Sequence, residues 1–283
     1  MLPTPYQLAK RAVLALAPWL VDLLPYRLRR RRNFIIISHP RSGSNFLRDA
    51  LNVHPDTFEF GELFHPNPLV SIYPKRILGK DQLLEEDIVP LMDAVARQRR
   101  VVVPGFTLFS RAKGHLLDYD AAARLASRFD FHVILLIRRN LLKAHISHKR
   151  ALATGYYHVD TTGRLIEWEH TRPVPDTKQQ PIGAINIAEA KEWIDETQAF
   201  FAGIERAVGV AGKDCHKVYY EDLCLQGRAR SLSEVNRTLD FLSLRALKAF
   251  EPRLGRTADK SFYESIPNRE EAVRALGYDL DWK

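Results

Sequence analysis

The segment that most constrains this chain is FIIIS followed by HPRSGS and NFLRDALN, residues 34–52. A short apolar, β-branched run reads as a buried strand, the glycine-containing stretch as a tight turn, and the stretch behind it as a helix. A strand that runs through such a turn into a helix opens a phosphate-binding unit. Main-chain N–H groups and hydroxyls can wrap an anion at the helix N-terminus, and Arg41 adds a fixed cationic fork. The turn lacks the spacing and the lysine of the loop G-x-x-x-x-G-K-[ST], which argues against an ordinary ATPase or kinase built on it.

Further strands are predicted at Val101 to Phe106, with Pro104 marking an end, at Phe131 to Ile137 and at Lys217 to Tyr220. Helical spacing appears at Gln82 to Arg97, Tyr119 to Phe129 and Ile187 to Val208, the last closed by Gly209 and Gly212. Apolar strands alternating with helices predict one α/β domain, P-loop-like, with a mostly parallel central sheet flanked by helices. Residues 155–183 carry glycines, prolines and polar residues with little periodicity, and read as a long surface excursion.

With 283 residues, 46% hydrophobic and 27% charged, the chain can bury a large core without staples. Two cysteines, Cys215 and Cys224, leave no room for a disulfide scaffold or a close-spaced zinc site, and a cytoplasmic-type reducing compartment is expected. A net charge of +8 attracts anionic partners, nucleic acid, phosphorylated ligands or acidic lipid among them. Five arginines of that excess, Arg27 and Arg29 to Arg32, stand just before the first strand.

We divide the chain into a basic amphipathic segment, residues 1–32, and a domain from residue 33 to 283. Residues 12–24 form an apolar stretch too short to span a bilayer, and the arginines behind it stand on the wrong side for a secretory signal. That segment, residues 12–32, either packs on the domain or rests peripherally on an anionic membrane, at the inner face.

A second cationic constellation is Ile137-Arg138-Arg139-Asn140 at a strand end, followed on a helix by Lys143, His145, Ser147, His148, Lys149 and Arg150. Arg138 and Ser147 can offer a cation and a hydroxyl to a second phosphate. No interleaved aromatic platform for stacking bases is visible, and nucleic acid is not expected as a partner.

Taken in order, strand-Pro40-Arg41-Ser42-Gly43-Ser44-Asn45-Phe46-Leu47, then Leu136-Ile137-Arg138-Arg139-Asn140 with Ser147 behind it, then Tyr219-Tyr220-Glu221-Asp222-Leu223 resemble the sulfotransferase family. Gly61-Glu62-Leu63-Phe64 and Ala153-Thr154-Gly155-Tyr156 resemble the bacterial carbohydrate sulfotransferases of the trehalose and nodulation-factor type. The resemblance implies 3′-phosphoadenosine 5′-phosphosulfate (PAPS) as sulfuryl donor, leaving as adenosine 3′,5′-bisphosphate, with no metal. It assigns the 5′-phosphosulfate to Arg41, Ser42, Gly43, Ser44 and Asn45, and the 3′-phosphate to Arg138 and Ser147. Arg41 and Ser44 would also donate to the leaving oxygen as charge grows on it.

Glu62 matches the catalytic glutamate of the similar bacterial enzymes and is the expected base, with His65 in reserve and His115 more remote. Glu221 and Asp222 are expected to hold loops or arginines near the cradle. Arg256 and Lys260 resemble further donor contacts only loosely.

The sequence departs from the family at Thr107, where relatives tend to carry lysine, at Asn140, where aspartate is common, and at Arg41, where many eukaryotic relatives have lysine. The implied acceptor is a hydroxyl of a carbohydrate, glycolipid or surface polysaccharide precursor. A non-carbohydrate small-molecule or lipid hydroxyl is the alternative within the class. A non-catalytic polyanion- or anionic-membrane-binding protein is the alternative outside it.

Overall fold

The computed structural model describes residues 33–64, 79–80, 83–110, 119–128, 131–154, 183–251 and 260–281, with the side chains of residues 119, 121, 260 and 261 excepted. The amphipathic segment 12–32 and nearly all of the excursion at 155–183 lie outside them. No helix among the described residues is long and apolar enough to cross a membrane.

Among the described residues, five strands form one all-parallel sheet: β1 (Asn33–Ser38), β2 (Thr57–Glu62), β3 (Val103–Phe109), β4 (Phe131–Ile137) and β5 (Cys215–Tyr219). Their spatial order is β2-β3-β1-β4-β5. The helices are α1 (Ser44–Leu51), α2 (Ile88–Arg99), α3 (Tyr119–Ser127), α4 (Leu141–Thr154), α5 (Ile187–Val210), α6 (Tyr220–Cys224), α7 (Gly227–Phe241), α8 (Lys260–Glu264) and α9 (Arg269–Leu276).

The central strand explains why FIIIS is apolar without alternation. Phe34 through Ile37 are fully buried because both faces of a parallel sheet are covered. Ile35 and Ile37 join a core with Leu91 and Val95 of α2, Leu125 of α3 and Phe201 and Ile204 of α5. Phe34 and Ile36 face the opposite layer, with Leu47 and Leu51 of α1 and Val235 and Leu239 of α7. A third cluster joins α4 and the start of α5 to α8 and α9. Gly105 is required by this packing, since it pairs with Phe34 and a β-carbon there would lie 2.3 Å from the Phe34 ring.

Several expectations are corrected. Pro104 does not end a strand; it sits second in β3, opposite Phe58, and the strand continues to Phe109. The lost N–H is tolerated at the start of the ladder, where the Val102 and Val103 amides both donate to the Asp56 carbonyl at 3.0 and 2.9 Å. Gly209 lies inside α5, and Gly212, with φ of +66°, follows its end. Tyr220 opens α6 instead of closing β5. The strand β2 and the helices α6, α7, α8 and α9 were not anticipated from the sequence pattern, and Lys260, read as part of a loop-like segment, opens α8.

From β1 the chain moves to one side of the sheet for β2 and β3, then crosses to the other for β4 and β5. Such a reversal opens a crevice at the carboxyl ends of the strands, where open α/β sheets bind their ligands. The turn after β1 and the segment after β4 both leave from this crevice.

Candidate anion site at the carboxyl ends of β1 and β4

The β1–α1 turn is shaped by two left-handed residues, Arg41 at φ 68° and Gly43 at φ 89°. Residues with that twist line turns that gather N–H groups around an anion. Gly43 is the N-cap of α1 and, having no side chain, makes no capping hydrogen bond to the first turn. Glycine is needed at position 43 on two counts. The backbone is left-handed, and a β-carbon would come within 2.9 Å of the Tyr220 ring and 3.3 Å of Cys224 Sγ.

Within the turn the side chains divide their roles. Ser42 is fully buried, and its hydroxyl donates to the His39 carbonyl at 2.8 Å and contacts Ser38 Oγ. Its hydroxyl is therefore committed inward, away from the mouth of the turn. Arg41 reaches across to α4, where its Nε donates to Ser147 Oγ at 3.0 Å. Ser44 is buried and Asn45 half-buried on the first turn of α1.

The second cationic segment meets the first. Arg138 leaves β4 beside β1, and one guanidinium N–H donates to the Arg41 carbonyl at 3.1 Å. Its guanidinium lies over the Tyr220 ring, 4.5 Å from the centroid. Arg138 is only 7% exposed, its Nε is buried with no hydrogen-bond partner, and it makes no ion pair among the described residues. A buried cation without a counter-charge costs several kcal/mol. The arrangement is therefore complementary to an anion bound between the two segments.

His39 joins those segments and was not singled out from the sequence. It is fully buried; its Nδ1–H donates to the Pro40 carbonyl at 2.9 Å and its Nε2 accepts the Arg138 amide at 3.2 Å. Both bonds require the same neutral tautomer. Burial pushes its pKa down to about 4, against the local hydrogen bond and with help from Arg138 and His148, so the ring is neutral near physiological pH. Trp193 and Phe201 pack edge-on against it at 5.6 and 6.0 Å. The only sequence signal was its place between the strand and Pro40.

The entry to α4 is held by the acidic residues after β5. Glu221 accepts the Arg139 and Asn140 amides, each at 3.1 Å. Asp222 pairs with Arg139 at 2.7 Å, and the hydrogen bond from Arg139 holds its carboxyl below the usual range. Both carboxylates thus hold the arginine segment, as their position suggested. Asn140 explains its own departure from aspartate: its Oδ1 accepts the Lys143 amide at 2.9 Å while its Nδ2 donates to the Asp279 carbonyl, a bond aspartate cannot donate.

Glu62 stands half-buried at the carboxyl end of β2, in register with Thr107. One strand separates β2 from β1, which places their ends about 10 Å apart at ordinary strand spacing. Thr107 is interior, donating to Glu59 Oε1 at 3.0 Å, so the departure from lysine serves a buried carboxyl. His65, His115 and Arg256 lie outside the described residues, as does the side chain of Lys260. Among the described residues no group of three or more His, Cys, Asp or Glu is placed to hold a metal ion.

No protein-family model and no curated protein sequence matches the chain. Among solved structures, it is similar to the sulfotransferase domain from the Synechococcus PCC 7002 olefin synthase, with 16% identity, 90% of each chain covered and a TM-score of 0.45. The chemistry of the site is therefore read from this chain's own residues.

Proposed function

We propose that the protein is a sulfotransferase that takes a sulfuryl group from PAPS and transfers it to a hydroxyl. The observation that carries this reading is Arg138, buried and cationic without a counter-charge among the described residues, hydrogen-bonded to the turn whose glycine-capped helix faces the same crevice. One anion site needs one such element; two joined cationic segments suit a nucleotide with phosphates at both ends of its ribose. In this reading the β1–α1 turn, with Arg41, Gly43, Ser44 and Asn45, takes the 5′ end. Arg138 and Ser147 take the 3′-phosphate.

Bound there, the donor supplies an activated sulfuryl group, attacked in line by the acceptor oxygen while the adenosine bisphosphate departs. Arg41 and the first-turn N–H groups of α1 stabilise the negative charge that grows on the departing oxygen. Glu62, across β3 from the turn, takes the acceptor proton. The resemblance of residues 61–64 and 153–156 to carbohydrate-acting members supports a sugar hydroxyl, in a carbohydrate, glycolipid or polysaccharide precursor, as acceptor.

Radiolabelled transfer tests the reading. With ³⁵S-labelled PAPS and a panel of saccharides, glycolipids and simple alcohols, label is expected to move to a hydroxyl-bearing acceptor in the presence of a chelator of divalent cations. Label that stays on the donor across the panel, with no bisphosphate released, contradicts the proposal.

A further inference from the structure

Three residues before Glu62 lies a second carboxyl in a different environment. Glu59 is 1% exposed and sits in β2 facing α1 and β3. Its Oε1 accepts two hydrogen bonds, from the Gly61 amide at 3.1 Å and from Thr107 Oγ1 at 3.0 Å. Its Oε2 is buried with no hydrogen-bond partner, and Arg48 of α1 stands 3.9 Å away. Its main chain is clasped as well. The Asn52 side chain at the end of α1 accepts the Glu59 amide at 2.7 Å and donates to the Glu59 carbonyl at 2.9 Å.

These contacts converge where β2 stops being regular. The pairing with β3 shifts register between Glu59 and Glu62, and Gly61 within the shift is left-handed at φ 87°. A bulge of this kind redirects the side chain that follows it. A carboxyl at this interior position is costly to desolvate, and the two bonds to Oε1 offset part of that cost. Burial raises the Glu59 carboxyl to about 7, opposed by Arg48, by the hydrogen bonds from Thr107 and Gly61, and reinforced by Asp49.

We propose that Glu59 is the positioning residue for Glu62: it holds the Gly61 peptide that sets the β2 bulge, and ties that bulge to the anion-binding helix α1. The proposal rests on Glu62 being the base, and it assigns Glu59 no contact with substrate. Charge at this site is set by Glu59 together with Arg48 and Asp49 on α1; Asn52, Gly61 and Thr107 contribute neutral hydrogen bonds.

The test compares E59A, E59Q and T107V with E62Q, all in the full chain. Binding of adenosine 3′,5′-bisphosphate is expected to change less than about threefold in the Glu59 and Thr107 variants, since the anion site is separate from Oε1. Bisphosphate release from PAPS, to water or an added primary alcohol, is expected to fall at least about tenfold in kcat in E59A, with donor KM unchanged. E59Q keeps an acceptor oxygen and recovers most of that rate. The wild-type rate is expected to show an inflection near neutral pH, where burial places the Glu59 carboxyl at about 7, and E59Q is expected to lack it.

Hydrogen exchange adds a readout that needs no turnover. The segment spanning residues 57–64 is expected to exchange about tenfold faster in E59A, or in T107V where E59A does not fold, and at the wild-type rate in E59Q. Unchanged exchange in T107V and E59A overturns the proposal. So do faster exchange with an unaltered rate and pH profile of PAPS turnover, or a loss in E59Q equal to that in E59A. Retained turnover in E62Q removes the base assignment instead, a separate failure.

Discussion

Replacing Arg138 with alanine is expected to weaken binding of adenosine 3′,5′-bisphosphate by about 100-fold, while adenosine 5′-phosphate loses less than about tenfold. The difference follows from where the guanidinium is held. Its Nε is buried and unpartnered and no carboxylate among the described residues neutralises it, so a phosphate placed there gains a charge-assisted hydrogen bond without displacing an ion pair of those residues. The smaller loss for the monophosphate reflects the bond from Arg138 to the Arg41 carbonyl, which helps to shape the turn. Calorimetric titration of the variant with both nucleotides checks this. Equal losses for the two would make Arg138 a support for the turn and remove its assignment to the 3′-phosphate.

The second large effect is expected at Glu62. Glu62→Gln keeps the shape and one acceptor oxygen but cannot take a proton at neutral pH. The rate of sulfuryl transfer is expected to fall by about 10²- to 10⁴-fold, the usual contribution of a positioned base. Affinity for the bisphosphate is expected to remain within about threefold of wild type, because β3 separates β2 from β1 and the turn behind it. Single-turnover measurement of bisphosphate release separates the two quantities. A variant with full transfer rate would exclude Glu62 as the base.

How much of this was legible in the sequence depended on how local the cause was. The strands β1 and β4 are continuous apolar runs because each is covered on both faces, and a run of that kind can be read without knowing its neighbours. The turn after β1 was legible for the same reason, since Gly43 and the helix start behind it are adjacent in the chain.

The strand β2 was not legible. Thr57 and Glu59 are buried among its phenylalanines, and the hydroxyl that donates to the Glu59 side chain, that of Thr107, is 48 residues away. His39 was hidden in the same way: the amide it accepts belongs to Arg138, 99 residues on. Pro104 misled the reading of β3 because a missing N–H excludes most strand interiors and is tolerated at this strand's start. For Glu59 and His39 alike, the group that meets the polar side chain is brought near only by the fold.

The contact between Arg41 and Ser147 shows the same limit. The sequence suggests that the two serve different phosphates, whereas the structure joins them directly through Arg41 Nε and Ser147 Oγ. The turn and the helix α4 therefore form one surface, and binding at one end is expected to order the other.

The most direct test of the account is a calorimetric titration of the wild-type protein, without magnesium. Adenosine 3′,5′-bisphosphate is compared with adenosine 5′-phosphate, adenosine 5′-diphosphate and ATP. The account predicts that the bisphosphate binds at least about 100-fold more tightly than the nucleotides lacking a 3′-phosphate. Equal affinity for all four, or binding of none, would contradict it.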